Sequence, residues 1–180
     1  DTSYLHVRLY QEKPPNDGHR QTILAPQHTH VGIGLAVHKL RLRLVELFVA
    51  KHVELEPVSR TAKPLSTVQL KGKLLKYPNV LNVIEVFYEP LPSPPELSWL
   101  QQVRSYSLPD ESRVLRPLLR PPYTYVDREP GVIDISSSGE FQVPINLFKQ
   151  APGIYTIVCW VKKNRRSQAF PATELCIRAE

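Results

Sequence analysis

His19, His28 and His30 are the side chains best suited to chemistry in this 180-residue sequence, and they form its one histidine cluster. Neutral imidazole binds Zn²⁺ or Cu²⁺, and a spacing of two puts His28 and His30 on the same face of a strand. A preformed metal site needs a further ligand to converge on them, and His19 is the candidate. The competing reading places His28 and His30 around Thr29 at a solvated strand start, with His19 holding a capped turn. No nucleophile completes a hydrolytic site. There is no Gly-x-Ser-x-Gly elbow, and Ser136-Ser137-Ser138-Gly139 reads as a hairpin turn. Gly32-Ile33-Gly34 sits inside a strand pattern without the third glycine and helix of a nucleotide fingerprint. Glu46, Glu54 and Glu56 read as a solvated strand edge. The expected activity is therefore binding rather than catalysis, with no cofactor.

Charge narrows the partner. Lys plus Arg number 23 against 17 for Asp plus Glu, a formal charge of +6. Such a balance suits an acidic protein surface, nucleic acid or anionic lipid, or simply a mildly basic protein. The one dense cluster, Lys162-Lys163-Asn164-Arg165-Arg166, falls where a hairpin turn belongs and has no aromatics interleaved to stack bases. Nucleic acid is not expected as a partner. No apolar run approaches the ~20 residues of a membrane-spanning helix, so no transmembrane segment is expected.

The elements that position these groups read as mainly β. In a first block, residues 1–56, Tyr4–Tyr10 alternates as a strand, Asp17 caps a short helix over Gly18–Ala25, and Pro26 ends it. Val31 to Val37 is a strand with Gly and Ala on its even face, which predicts that Gly32 and Gly34 are buried against a close neighbour. Leu42–Leu55 reads as one long strand. Leu44, Val45, Leu47, Phe48 and Val49 make its middle apolar on both faces, so it should be covered on both sides. Residues 57–66 lack periodicity and read as a linker. The second block, 67–180, shows short strands over Thr67–Leu75, Val80–Tyr88, Val132–Ser136, Phe141–Leu147, Ile154–Val161 and Thr173–Ala179. Their spacing predicts an antiparallel β-sandwich.

A proline-rich insertion over residues 90–130 interrupts the sandwich, with one helical passage at Pro95–Arg104. Trp99, Tyr106, Tyr123 and Tyr125 lie in it with Arg116 and Arg120. Trp, Tyr and Arg concentrate at interface cores, so these six are candidate protein-binding residues; the alternative is aromatics that seal the sandwich edge. The two cysteines, Cys159 and Cys176, fall on the last two strands. They can bridge only if both side chains share a face.

The segment Gly18-His19-Arg20-Gln21-Thr22-Ile23-Leu24, then Pro26 and Val31-Gly32-Ile33-Gly34, resembles the late part of a CAP domain of bacterial type. That superfamily contains cysteine-rich secretory, venom-allergen and pathogenesis-related proteins. Thr22 stands where that pattern usually has Asn. The resemblance implies a partial α/β/α module, with Leu44–Glu54 as its last core strand and His19 as the later histidine of a cavity. It implies that the earlier histidine and two acidic residues of the cavity belong to helices upstream of Asp1, so the chain is expected to be a mature or truncated piece. It implies binding rather than catalysis, an extracellular setting, and lipid or sterol as an alternative ligand class. Two further alternatives are a metal-dependent hydrolase centred on His19, and a part of an intracellular cytoskeletal assembly.

Overall fold

The computed structural model describes residues 2–180 except 76–78, 103–108, 110 and 165. It divides into two compact units, Asp1–Lys51 and His52–Glu180. Strands dominate, in sheets that are antiparallel except where Thr61–Ala62 joins Phe170–Ala179.

The first unit opens with a helix, α1 (Thr2–Tyr10), where alternation suggested a strand. The pattern Leu5, Val7, Leu9 fits either element. The helix half-buries Leu5, His6 and Leu9, a stripe at helical spacing, and sets Arg8 over the Tyr4 ring at 5.9 Å across one turn. A second helix, α2 (Gly18–Leu24), begins after Asp17 as expected. The Asp17 carboxylate accepts a hydrogen bond from the Gln21 amide at 2.9 Å rather than capping the backbone. Strands β1 (His30–His38) and β2 (Arg41–Val49) then form an antiparallel hairpin, with Val31 opposite Phe48 and His38 opposite Arg41. Lys39 makes the turn in the left-handed region, φ 52°.

Two expectations fail here. Gly32 and Gly34 are exposed, not buried: a Cβ on either would meet only Leu47 or Val45 across the hairpin, at ordinary van der Waals distance. The strand expected over Leu42–Leu55 also ends early, at Val49, because His52 already belongs to the second unit, where its carbonyl accepts from Leu75 N at 3.0 Å.

The second unit is a sandwich. Its elements are β3 (Val53–Leu55), β4 (Thr61–Ala62), β5 (Thr67–Leu74), β6 (Val80–Pro90), α3 (Leu97–Gln102), β7 (Ser112–Leu115), β8 (Asp134–Ile135), β9 (Glu140–Asn146), β10 (Gly153–Lys162) and β11 (Phe170–Ala179). One sheet runs β4-β11-β10-β6-β7, the other β3-β5-β9-β8. In β9, Phe141, Val143 and Ile145 are buried while Gln142, Pro144 and Asn146 face out, as their alternation requires. Burying each such side chain contributes roughly 1.5–3 kcal/mol. Pro144 is tolerated because β8 pairs only with Gln142 and Phe141, leaving β9 an open edge beyond them. Opposite Phe141, Gly72 leaves room for its ring: a Cβ there would stand 2.6 Å from Phe141 Cζ.

The stretch read as a linker is woven into this sandwich. β4 pairs in parallel with the end of β11, and Arg178 N donates to Arg60 O at 2.8 Å. The insertion is likewise part structure: β7 pairs with β6, and Pro117 bridges to Ile133. The two cysteines do fall on one hairpin, β10 and β11, as expected, but the shared face that a bridge requires is missing. Cys159 lies opposite Thr173 and Cys176 opposite Thr156, an offset of three residues. An odd offset puts the two side chains on opposite faces, so Cys159 is buried, Cys176 exposed and both are free.

Candidate functional site

The chain from Arg116 to Ile133 forms a closed loop at the end of β7. The Arg116 carbonyl accepts from Val132 N and Ile133 N at 2.8 and 3.0 Å, and Leu118 N donates to Ile133 O at 2.8 Å. Gly131 is required at this neck, since any Cβ there would overlap the Pro117 carbonyl. Above the neck, Arg116 closes the loop a second time. Its guanidinium lies 4.7 Å from the Tyr125 ring centre and its Nη2 is 2.7 Å from Asp127 Oδ2. Tyr125 Oη donates to the Pro117 carbonyl at 2.8 Å, and Glu129 N donates to Asp127 Oδ1 at 3.1 Å.

The electrostatics follow from this brace. The hydrogen bond from Arg116 holds the Asp127 carboxyl below its ordinary range, and the same bond raises Arg116. Partial burial raises the Tyr125 hydroxyl against the lowering effect of Arg116. With its backbone tied down, the loop turns large apolar side chains outward. Leu118, Tyr123 and Val126 are 51%, 73% and 104% exposed. Single exposed apolar residues are ordinary; here three share one braced loop.

The six predicted binding residues thus divide by role. Tyr123 and Arg120 are exposed on the loop, and Trp99 is half exposed on α3. Tyr125 and Arg116 are turned to bracing rather than contact. Tyr106 lies outside the described residues. Arg120 also lines a groove of about 860 Å³ on the second sheet, beside Lys71, Lys73, Glu54, Asp134 and Glu140, where both signs of charge alternate. Sequence reasoning missed Leu118, Val126 and Asp127. The two apolar residues were visible as apolar positions in a proline-rich stretch, whereas the Arg116–Asp127 pairing has no periodic signature.

In the first unit, His19 is engaged locally. Its Nδ1 lies 2.7 Å from Glu12 Oε1, and its backbone N–H donates to Glu12 Oε2 at 3.1 Å. Glu12 is thereby an anion at the start of α2, and its hydrogen bond with His19 lowers its own pKa. His28 stacks on Phe48 with ring centres 5.2 Å apart, and His30 Nδ1 meets Thr29 Oγ1 at 2.9 Å. Among the described residues, no three His, Cys, Asp or Glu side chains stand where they could hold one metal ion. No helix among them is long and apolar enough to cross a membrane. No protein-family model matches the chain, and no curated protein matches it.

Proposed function

We propose that the chain is a non-enzymatic binding or scaffolding protein, a CAP-like module followed by a β-sandwich that associates with other proteins through its proline-rich loop. The observation that carries this reading is the braced loop itself. Arg116 and Asp127 pair with each other, and Tyr125 lies under Arg116 with its hydroxyl on the Pro117 carbonyl, so the outward Tyr123 and Val126 are held in place before any partner arrives. Preorganised aromatic and aliphatic anchors bind at lower ordering cost than flexible ones. Arg120, exposed beside them, and the chain's charge of +6 favour an acidic partner surface. The hydrolase alternative on His19 is less favoured, because the ring's Nδ1 is committed to Glu12 at a helix start.

The test places a photoreactive benzoylphenylalanine at Tyr123 and, as a control, at Gln142 on the outer face of β9. A discrete adduct from position 123 that disappears in Val126→Asp supports the reading. The same adducts from both positions, or none from 123, would remove the loop as a contact surface.

A further inference from the structure

The first unit holds a second feature that protein association does not use. Between α1 and the β1–β2 hairpin runs a groove of about 430 Å³, lined by Val7, Val31, Ile33, Leu35, Leu44 and Phe48. That volume lies within the range of small-molecule sites, roughly 300–1,000 Å³. Its walls are largely apolar, and three polar residues, Ser3, His6 and Glu46, stand among them. His6 from α1 and Glu46 from β2 also line the groove, His6 Nδ1 lying 2.7 Å from Glu46 Oε1.

Glu46 carries the argument. Its side chain is only 8% exposed, while that of His6 is 45% exposed. Its second oxygen, Oε2, is buried and has no hydrogen-bond partner among the described residues. A buried carboxylate oxygen without a donor costs free energy that a ligand donor can recover, more so if the donor is charged. An anionic ligand is disfavoured by the carboxylate. A wholly apolar one leaves Oε2 unsatisfied. The ligand that meets both the walls and the orphan oxygen has an alkyl body and a cationic head.

We propose that this groove binds an amphiphilic amine, its alkyl chain along Val31, Ile33 and Leu35 and its ammonium donating to the Glu46 carboxylate. The proposal is independent of the loop's role. Isothermal titration of the 180-residue chain with octylammonium, octanol and octanoate at neutral pH tests it. Octylammonium is expected to bind about tenfold or more tightly than octanol, the ratio for one charge-assisted hydrogen bond, and octanoate not at all. Methyl resonances of Val31, Ile33 and Leu35 should shift with the amine. Glu46→Gln should reduce octylammonium to the affinity of octanol. Should that variant fail to fold, His6→Ala serves instead: it frees the second carboxylate oxygen and should retain or tighten amine binding. Equal affinity for the three ligands, no heat with any, loss of amine binding in His6→Ala, or shifts confined to other residues would each overturn the proposal. So would a dimer in sedimentation that the amine does not dissociate, since a second copy would then be the occupant of this face.

Discussion

Replacing Gly131 by alanine tests whether the neck of the loop has the tight geometry described above. An added Cβ would overlap the Pro117 carbonyl and stand 2.8 Å from Leu118 N, and neither atom belongs to a flexible side chain. Relief therefore requires the backbone at 131–133 to part from 117–118. That movement strains the bonds from Val132 N and Ile133 N to Arg116 O and from Leu118 N to Ile133 O. Overpacking of this kind costs about 1–3 kcal/mol, and each weakened hydrogen bond up to about 1 kcal/mol more. The expected loss is about 2–4 kcal/mol, a large share of the ~5–15 kcal/mol that holds a domain folded. Urea unfolding followed by tryptophan fluorescence reads it, because Trp99 and Trp160 both lie in the second unit. At a slope of ~2 kcal/mol per molar urea, the midpoint should fall by roughly 1–2 M. Val132→Ala, which trims an exposed side chain of the same segment, should cost under about 1 kcal/mol. A midpoint for Gly131→Ala equal to that of Val132→Ala would refute the close approach of the two backbones.

Burial pushes the Cys159 thiol up to about 12 from its ordinary 9.0. Above pH 9 the unfolded thiol then loses its proton while the folded one keeps it. Stability should be level below that pH and fall as pH rises toward 12, by up to about 1.4 kcal/mol per unit. Comparing the slope with that of Cys159→Ala isolates the contribution; identical slopes would contradict it. The same native protein should give one fast thiol with Ellman's reagent, Cys176, and a second only on unfolding. Asp127 should titrate below the usual aspartate range by NMR and return to it in Arg116→Gln, with no change in that variant counting against the brace. Gly32→Val, which a buried glycine face would make costly, should change stability by less than about 0.5 kcal/mol in this chain, since the position is open. A loss of 1–3 kcal/mol, as overpacking gives, would show that something covers that face.

The sandwich was legible because its strands have one wet and one dry side. Phe141, Val143 and Ile145 alternate with Gln142, Pro144 and Asn146 in sequence and in burial alike. The short pieces were not legible. β4 has two residues and β7 four, too few to establish a period, and both are set by the strand they join. α1 was misread because Leu5, Val7 and Leu9 satisfy a strand as well as a helix, and only the Tyr4–Arg8 spacing distinguishes them. The cysteines show a further gap: their strands were predictable, but the three-residue offset that separates their side chains depends on register. At the loop, residue types named Tyr123 and Arg120 as candidate binding residues, and both are exposed. Arg116 and Tyr125, of the same types, were already consumed by pairing with Asp127 and Pro117.

The two units solve the problem of apolar surface differently, and their proposed roles follow from that difference. The second unit closes a core between two sheets, with Ile84, Ile133, Val143, Tyr155, Ile157 and Ile177 fully enclosed. It can therefore afford to display Tyr123 and Val126 without losing its fold. The first unit has no such reserve. Its sheet has two strands, and an isolated hairpin is marginal in water. Ile33 and Val37 are exposed on one face, Val45 and Leu47 on the other. Each ligand or partner that covers this surface adds directly to the stability of the unit, as RT ln(1 + [L]/Kd). A loop on a rigid sandwich binds without changing what holds it. A groove between one short helix and a two-stranded hairpin couples its occupancy to its own folding, so an amine bound at Glu46 would act on the order of the whole first unit and not on one side chain.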